Sequence, residues 1–522
     1  MTADRAPIRD IVIVGGGTAG WMLAAAASRY LNDGQRRITL VESEAIGTVG
    51  VGEATIPPIL NFNEFLGIDE AEFVAATKAS FKLGIEFVGW GGEDERYLHP
   101  FGKFGRDLHG VDFHHFWRKF RDHPGVGPIG DYSMSVAAAH ANRFAHPAAD
   151  PRNPLSHLGY AYHFDAGLYA SFLRSYAEAR GVIRIEGRIA HVDREATRDH
   201  VAAVVLDDGR RIAGELFVDC SGFRSMLLGE TMGARFVDWS HWLPCDRAWA
   251  VPSARTGPLT PYTRSTARPA GWQWRIPLQH RTGNGHVYAS RFMDDQGALD
   301  LLLSSLDAAP TTEPRHLKFE AGRRSEFWRG NIVGIGLSGG FLEPLESTSI
   351  HLIQHGIQLL FALFPDRSFA EIERREYNRL MTSQIDTIRD FIILHYHATT
   401  RAGQPFWDHV RTMPIPDTLA HKIALFREKG RIFRYDDELF TIPNWSAVLI
   451  GQGVIPHGYD PVADSLADDR VLDMLAQHRR AYADMAASMP DHAAFIDRLI
   501  APPPVSQERS DGRIVSAIRS RG

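Results

Sequence analysis

A short apolar run near the start of the chain leads directly into three regularly spaced glycines. Residues 11–14 are mostly β-branched, and GGGTAG follows them with glycines at Gly15, Gly17 and Gly20. Gly15 permits a tight turn, Gly17 lets a phosphate group approach the backbone, and Gly20 lets a helix pack closely on the strand. The alanine-rich stretch 21–31 is typical of that helix. The sequence therefore opens with a predicted strand, turn and helix of an α/β fold.

A second strand completes this opening unit. Residues 38–41 are apolar and lead into Glu42, whose carboxylate is placed to accept hydrogen bonds from an adenosine ribose. Free amides at the start of the helix favour an anionic pyrophosphate. The βαβ unit over 10–42 thus predicts a dinucleotide site. Its predicted contacts are Gly15, Gly16, Gly17, Thr18, Ala19, Gly20 and Glu42.

Composition narrows the classes of function. The 522 residues carry a formal net charge of −6, which does not favour nucleic acid or an anionic membrane as a partner. The sequence has no hydrophobic leader and no membrane-length apolar stretch, so we expect a cytoplasmic protein. Its two cysteines, Cys220 and Cys245, argue against a disulfide scaffold or a zinc cluster. We also expect no metal, because no metal-ligand spacing occurs among His109, His114, His115, His163 and His395.

Patterns of apolar residues predict further elements along the chain. Short β-branched runs predict strands at 201–206, 210–218 and 332–335. Apolar residues at helical spacing predict helices at 350–364, 377–396 and 471–485. Beyond residue 501 the chain opens with prolines and then turns polar and charged, so we predict no fixed structure there.

The segment GWQWRIPL contains two tryptophans and a proline at fixed spacing. It matches the WxWxIP signature of flavin-dependent halogenases, which in that family accompanies a GxGxxG loop, as it does here. An aromatic-rich core strand is the alternative interpretation of such a segment. On these two motifs the chain resembles the tryptophan and indole halogenases. The resemblance implies that the flavin is separated from the organic substrate by Trp272, Trp274, Ile276 and Pro277.

Three other segments resemble flavin contacts. FVDCSGFRS at 217–225 and GIGLSGGFLEPL at 334–345 are similar to segments that FAD-dependent hydroxylases place against the flavin. VGVGEATIP at 49–57 resembles the strap beside the flavin in the halogenases. Because no second glycine-rich βαβ unit is visible for NADPH, FAD is expected to arrive as FADH2 from a separate flavin reductase. The further FAD contacts implied by the resemblance are Gly52, Glu53, Ala54, Leu337 and Ile350.

Two lysines lie in or beside a segment that resembles the one with the family's catalytic lysine. That segment is FKLGIEFVGW at 81–90, and only Lys82 follows a phenylalanine as the family's lysine does. Lys78 lies four residues earlier, and helical spacing would place the two side chains on a similar face. Without the resemblance, either lysine would be interpreted as a surface charge. The resemblance assigns Lys82 the role of holding hypohalous acid, by hydrogen bond or as a haloamine.

The segment LEPLESTSIHLI at 342–353 resembles the family's active-site loop. It implies that Glu346 is the catalytic carboxylate, that Ser347 lies beside the aromatic substrate, and that backbone amides of Thr348 and Ser349 bind the halide. A Ser-Thr-Ser run before an apolar helix also predicts a helix N-terminus, where free amides and the helix dipole favour an anion. An ordinary capping run is the alternative. Tryptophan halogenases typically have glycine in place of Ser349, so the preference between chloride and bromide stays open.

The residues expected to bind the substrate match the halogenase family in one segment and differ from it in another. His99 and Phe101 match the family's His-x-Phe pair, which encloses an indole ring. Tryptophan-specific members also carry a Tyr-Tyr pair, a glutamate and a Phe-Trp pair that bind the ammonium and carboxylate of the amino acid, whereas FRYDDELFTIPNW at 433–445 lacks both the Tyr-Tyr and the Phe-Trp pairs. Burying a zwitterion without matched partners costs binding free energy. We therefore expect a substrate that is indole or a small indole-like ring, attacked at its nucleophilic C3.

The resemblance implies an α/β fold class, with an FAD-binding Rossmann-like fold of the aromatic-hydroxylase type and a mainly helical C-terminal portion. We expect an interleaved FAD- and substrate-binding module over 1–345, a helical portion over 346–500 that completes the active site, and a tail over 501–522. The expected function is chlorination or bromination of an electron-rich aromatic ring with FADH2 and dioxygen. The alternatives are an FAD-dependent aromatic monooxygenase, a non-catalytic flavoprotein and an NAD-dependent dehydrogenase. A homodimer is compatible with the sequence.

Overall fold

Within the part of the chain that the structure describes, the strands form two large sheets and three small ones. The computed structural model describes residues 5–44 and 52–502, so residues 49–51 of the predicted strap and 503–522 of the predicted tail lie outside the described residues. The strands, in chain order, are β1 (Asp10–Val14), β2 (Arg37–Glu42), β3 (Gly52–Ala54), β4 (Ser80–Lys82), β5 (Gly84–Val88), β6 (Arg96–Pro100), β7 (Ala161–Asp165), β8 (Ile183–Glu186), β9 (Ile189–Arg194), β10 (Val201–Leu206), β11 (Arg211–Ala213), β12 (Leu216–Asp219), β13 (Phe236–Asp238), β14 (Arg247–Ser253), β15 (Thr263–Arg268), β16 (Gly271–Pro277), β17 (Thr282–Tyr288), β18 (Arg315–Lys318), β19 (Gly322–Arg324), β20 (Trp328–Arg329), β21 (Ile332–Gly334) and β22 (Gly340–Phe341).

Helices cover the sheets and make up the C-terminal portion. The α helices are α1 (Thr18–Tyr30), α2 (Pro58–Leu66), α3 (Glu70–Ala76), α4 (Phe113–Phe120), α5 (Met134–His140), α6 (Ala166–Glu178), α7 (Asp295–Ser304), α8 (Ser349–Ala362), α9 (Glu371–His397), α10 (Pro405–Thr412), α11 (Asp417–Lys429), α12 (Ile442–Gly451), α13 (Asp468–Ser488) and α14 (His492–Leu499). Among the described residues, no helix combines the length and apolar character needed to cross a membrane.

The six-stranded sheet contains the predicted βαβ unit. Its strand order is β20–β21–β12–β1–β2–β8, and every neighbouring pair is parallel except β20 with β21. Residues 11–14 of β1 are all buried, because a central parallel strand is covered on both faces. The glycine loop follows β1 at the carboxyl end of this sheet, which is where open α/β sheets bind ligands.

The seven-stranded sheet holds the tryptophan segment at its centre. Its order is β18–β14–β17–β16–β15–β5–β6, antiparallel apart from the pair β15 and β5. In β16, Trp274 lies opposite Gly285 of β17. A Cβ atom on Gly285 would lie only 1.9 Å from the Trp274 ring, so this cross-strand position has room for glycine alone. A small antiparallel sheet, β3–β7–β4, pairs Lys82 with Ala161.

Most of the predicted elements are present, with shifted ends. The βαβ unit, the three C-terminal helices and the mixed α/β class are confirmed, and helices α8 to α14 form the portion beyond residue 346. The single strand predicted at 210–218 is wrong, since the chain forms β11 and β12 in different sheets with Gly214 between them. A Cβ atom on Gly214 would lie 2.7 Å from Val12, so glycine permits this close crossing.

Candidate active site

A large cleft opens at the carboxyl end of the six-stranded sheet. Its volume is about 800 Å³, which is within the range of small-molecule and cofactor pockets. Its walls come from the glycine loop, β3, β16 and the start of α8. The predicted cofactor contacts that line it are Gly15, Gly16, Gly17, Thr18, Ala19, Glu42, Gly52, Glu53, Ala54, Leu337 and Ile350.

The glycine loop has the shape that a dinucleotide requires. Gly15 adopts a φ of 112°, and a Cβ atom there would lie 2.3 Å from the carbonyl oxygen of Cys220. Gly20 lies behind the cleft, where a Cβ atom would come within 1.9 Å of the Gly15 carbonyl oxygen. Among the residues that the structure describes, a Cβ atom on Gly17 would meet nothing within 4 Å, and no side chain caps the start of α1. The first-turn amides are therefore accessible to a phosphate group from the cleft.

Two carboxylates border the same cleft. Glu42 accepts a hydrogen bond of 2.5 Å from Nε of Arg184 on β8, a partner that the sequence patterns did not indicate. Burial raises the pKa of Glu53 to about 7. A carboxyl group with less negative charge at neutral pH than an ordinary glutamate suits a wall facing an apolar ring system.

The tryptophan segment lines one side of the cleft and also contacts the strand that carries Lys82. Trp272, Trp274 and Ile276 line the cleft. Pro277 does not line it, and its carbonyl oxygen accepts a hydrogen bond of 2.6 Å from Oγ of Ser80 on β4. The segment therefore links the cleft to the strand on which Lys82 lies.

Lys82 is completely buried and fixed by two hydrogen bonds. Its Nζ atom donates to the carbonyl oxygen of Thr55 at 3.0 Å and to Oγ of Ser347 at 2.9 Å. It also lies 5.2 Å from the centre of the Phe101 ring. Burial lowers the pKa of Lys82 to about 7, and the nearby Glu346 charge opposes that shift only in part.

The structure separates the two candidate lysines. Lys78 is exposed and adopts a left-handed φ of 53°, in a turn that precedes β4. The expectation that helical spacing would align Lys78 and Lys82 is wrong, because residues 80–82 form a strand paired with β7. Of the two, only Lys82 lies among the other predicted site residues.

Glu346 is buried between two histidines. His99 Nδ1 lies 3.0 Å from both carboxylate oxygens, and His395 Nε2 lies 2.7 Å from Oε1. Burial by itself would raise the pKa of Glu346, but the two histidines outweigh it and lower the pKa to about 2. Glu346 is therefore an anion at neutral pH.

The predicted halide site lies at the start of α8. Ser347 adopts a left-handed φ of 59°, and α8 begins at Ser349, so the predicted helix N-terminus is confirmed. Thr348 makes no side-chain capping bond, and its buried Oγ1 atom has no hydrogen-bond partner within residues 5–44 and 52–502. This combination of an unpartnered hydroxyl and first-turn amides fits a bound anion better than an ordinary capping run.

Three residues of the site were not predicted from the sequence. His395 was set aside with the other histidines, although it lies in the apolar stretch IILHY of α9, where a histidine is buried. Glu343 accepts a hydrogen bond of 2.7 Å from Nε1 of Trp272, and so ties the tryptophan segment to the loop before α8. Asn444 contacts His99 from α12. A buried polar residue within an apolar run was the available signal for His395.

The histidine and aspartate residues near α4 form a separate cluster. One ligand atom from each of Asp112, His114 and His115 lies within 4.8 Å of the others. His114 Nε2 bonds to the carbonyl oxygen of Gly430, and His115 Nδ1 accepts a hydrogen bond from the Asp460 amide. One nitrogen of each ring is therefore already engaged, and the expectation of no metal stays a prediction.

Comparison with known proteins agrees with this geometry. The tryptophan halogenase family model matches residues 10–468. BrvH, a flavin-dependent halogenase from Brevundimonas sp. BAL3, is 47% identical with a TM-score of 0.91, and the match covers 94% of this chain and 99% of that chain. A flavin-dependent halogenase from Xanthomonas campestris is 48% identical with a TM-score of 0.91, over 95% of this chain and all of its own.

A relative that is named as a tryptophan halogenase is also similar over nearly its whole length. The tryptophan 6-halogenase SttH from Streptomyces toxytricini is 35% identical over 94% of this chain and 98% of its own. These matches cover both the flavin-binding sheet and the helical C-terminal portion, and they favour halogenation over the alternatives of hydroxylation and non-catalytic flavin binding. The chain therefore belongs to the tryptophan halogenase family and is a flavin-dependent halogenase.

Proposed function

We propose that this enzyme uses chloride or bromide to halogenate indole, or a small indole-like ring, at C3 in the cytoplasm. A separate flavin reductase supplies FADH2. The observation that carries the proposal is the buried cluster in which Lys82 contacts Ser347, the residue next to Glu346. This water-excluded space contains an amine and an ionised carboxylate. The amine is suited to holding an electrophilic halogen, and the carboxylate is suited to stabilising a cationic ring.

The residues that border the cleft fit FAD. Gly17 and the first turn of α1 are placed to bind the pyrophosphate, and Glu53, Leu337 and Ile350 border the remaining length of the cleft. When FADH2 is bound, its reaction with dioxygen and halide supplies hypohalous acid. Thr348 and Ser349 are placed to hold the halide at the start of α8.

Lys82 performs the positioning step. Its hydrogen bonds to Thr55 and Ser347 fix the direction of the amine. The position on Nζ that these two bonds leave free holds hypohalous acid. Free hypohalous acid would react unselectively, so the fixed amine contains and orients it. As the carbon–halogen bond forms at the ring, the oxygen–halogen bond breaks and the oxygen leaves as hydroxide.

Glu346 completes the reaction. Its negative charge stabilises the cationic ring produced by addition of halogen, and its carboxylate accepts the proton that the ring carbon then loses. That proton and the released hydroxide give water, so the products are the halogenated aromatic compound and one water molecule. The two histidines keep Glu346 ionised before the halogen arrives.

The stretch at 433–445 supports a substrate without charged ends. Glu438, an acid of this stretch, is buried and accepts hydrogen bonds of 2.7 and 2.9 Å from Lys422. A carboxylate already neutralised in this way cannot grip a substrate ammonium without leaving a buried lysine unpaired. Phe433 and Tyr435 are exposed to solvent at their side chains. An apolar ring requires neither charge and fits this arrangement.

The direct test is reconstitution with a flavin reductase, NADH, FAD, bromide and indole, followed by mass spectrometry. We expect a product in which one hydrogen of indole is replaced by bromine, and no product when bromide or the reductase is omitted. A hydroxylated product formed without halide would overturn the proposal in favour of a monooxygenase. Rapid NADH oxidation by the purified protein alone would contradict the separate reductase.

A further inference from the structure

The buried carboxylate of Glu346 depends on which nitrogen of each neighbouring histidine carries a proton. His99 is on β6 and His395 is on α9, and the side chains of all three residues are at most 1% exposed. A neutral imidazole has one donor nitrogen and one acceptor nitrogen. Each ring therefore supports the anion only if its proton is on the nitrogen that faces Glu346.

Asn444 determines this choice for His99. The Oδ1 atom of Asn444 accepts hydrogen bonds from the Thr441 amide at 2.7 Å and from the Thr441 hydroxyl at 2.8 Å. These two donors fix the orientation of the side-chain amide, so its Nδ2 atom is the one that lies 2.9 Å from Nε2 of His99. An amide nitrogen can only donate. The Nε2 atom of His99 must therefore accept, and its proton is on Nδ1, facing Glu346.

Gln452 and Tyr97 determine the choice for His395. The Nε2 atom of Gln452 donates to the His395 carbonyl oxygen at 3.0 Å and to the Tyr97 hydroxyl at 3.2 Å. The hydroxyl proton of Tyr97 is then directed to Nδ1 of His395 at 3.2 Å. The remaining proton of His395 is on Nε2, which lies 2.7 Å from Oε1 of Glu346 as an ion-pair contact and not as a hydrogen bond of regular geometry. The two rings thus present opposite nitrogens to one carboxylate.

We propose that Asn444 is a positioning residue that holds His99 in its Nδ1-protonated tautomer and thereby keeps Glu346 a hydrogen-bonded anion. The proposal rests on the proposed role of Glu346 as the catalytic carboxylate. Lys82 and Tyr97 also interact electrostatically with Glu346, and the His99 ring contacts the uncharged rings of Phe391 and Phe440. Asn444 is the polar contact at Nε2 of His99.

The opposite tautomer would disable the carboxylate. It would place a nitrogen lone pair of His99 against the oxygens of Glu346, and the repulsion would be relieved by protonating either the carboxylate or the ring. A neutral carboxylic acid neither stabilises a cationic ring nor accepts its proton. Replacing the amide by a carboxylate in Asn444→Asp retains the Thr441 contacts but turns the donor facing His99 into an acceptor.

The first test is nitrogen NMR of the full-length protein labelled with ¹⁵N-histidine, with the His99 signals assigned from a His99→Gln sample. In the wild type we expect a protonated Nδ1 and an unprotonated Nε2. In Asn444→Asp we expect both nitrogens of His99 to be protonated at neutral pH. A wild-type ring protonated on Nε2, or an Asn444→Asp spectrum identical to wild type, would overturn the proposal. Asn153→Asp, which adds the same charge at the N-cap of the short 3-10 helix Pro154–His157, should leave the His99 signals unchanged.

The second test is the pH dependence of turnover with bromide and indole. Asn444→Leu, which has a similar size and no donor, should lower kcat about tenfold or more, the scale for a mispositioned catalytic histidine or carboxylate. Asn444→Asp should change the pH profile of turnover between pH 6 and 9 relative to the wild type, whose own profile in that range contains the Lys82 titration. Wild-type kcat and an unchanged pH profile in both variants would overturn the link to catalysis. If the NMR result holds while the wild type gives no halogenated product, the proposed function fails and the tautomer assignment stands.

Discussion

The Nζ atom of Lys82 donates a hydrogen bond of 2.9 Å to the Oγ atom of Ser347, although the two residues are 265 positions apart in the chain. The bond connects β4 to the left-handed turn that precedes α8. Because the turn places Glu346 on one side and the start of the helix on the other, one contact brings the amine, the carboxylate and the anion site together. The interleaved connections of the sheets make this contact possible.

Removing the Ser347 hydroxyl should weaken the enzyme in two ways. Ser347→Ala leaves a buried donor of Lys82 without its partner, which costs about 1–3 kcal/mol of unfolding free energy. It should also lower kcat, because Nζ loses one of the two contacts that direct it. Urea denaturation and turnover with bromide would measure both effects. Ser28→Ala is the matched control, since that buried hydroxyl bonds only to a carbonyl in its own helix, and a loss there equal to that of Ser347→Ala would contradict the argument.

Lys82→Ala should abolish halogenation while FAD binding and peroxide release persist, because the lysine acts after the flavin has reacted. Product mass, flavin titration and a peroxide assay separate these steps. Lys78→Ala is the control, since Lys78 is exposed and lies in a turn outside the buried cluster. Activity retained in Lys82→Ala and lost in Lys78→Ala would show that the wrong lysine was chosen.

Stability should depend on pH through Lys82. Burial lowers the pKa of Lys82 from 10.5 to about 7 in the folded chain. Between these values the unfolded chain binds a proton that the folded chain does not, so stability rises with pH. The unfolding free energy of the wild type relative to Lys82→Met should therefore increase by about 1–2 kcal/mol from pH 7 to pH 8.5. Denaturation curves at the two pH values would measure it, and a difference that falls with pH would rule out a buried, depressed lysine.

Glu346→Gln should lower turnover by about one to three orders of magnitude, the scale for losing a positioned base and its charge. The fold should survive, because an amide of the same shape still accepts from His99. In the wild type the two histidines lower the Glu346 pKa to about 2, so turnover should show no acid limb from this group above about pH 4. Stopped assays across pH would test both points, and an unchanged rate in Glu346→Gln would remove it from the mechanism.

Local chemistry explains why the opening of the fold was predictable. Local physical chemistry within 32 residues of chain explains the glycine positions, the two β-branched runs and Glu42. The sequence therefore predicted the βαβ unit, with element ends that differ from the structure by one or a few residues. The strand predicted at 210–218 failed because Gly214 sends the chain from one sheet to another. That choice depends on Val12, which is far away in sequence.

The candidate site was predictable only where a motif matched the family. Lys82, Glu346 and Ser347 each lie in a recognisable segment, but no local pattern indicates that Lys82 and Ser347 touch. His395 and Asn444 take their roles from tertiary contacts with Glu346 and His99, and spacing alone could not supply them. The spacing of Thr441 and Asn444 is typical of a helix-capping pair and is visible in the sequence. The histidine that the Asn444 amide contacts, His99, lies 345 residues away in the chain, so the sequence does not indicate that contact.

The substrate should be indole or a similarly small ring rather than free tryptophan. Indole requires only stacking and an acceptor for its N–H, whereas the ammonium and carboxylate of tryptophan need placed partners or their desolvation opposes binding. The stretch at 433–445 lacks the Tyr-Tyr and Phe-Trp pairs, and Glu438 is already neutralised by Lys422. Without a clamp the reactivity of the ring selects the position, so attack should occur at C3, the most nucleophilic carbon of indole.

A competition assay with equal indole and tryptophan under bromide would decide the point, with product mass and regiochemistry as the measurements. We expect 3-bromoindole to predominate. Preferential halogenation of tryptophan on its benzene ring by the wild type would show that other residues rebuild the clamp, and would refute the proposed substrate.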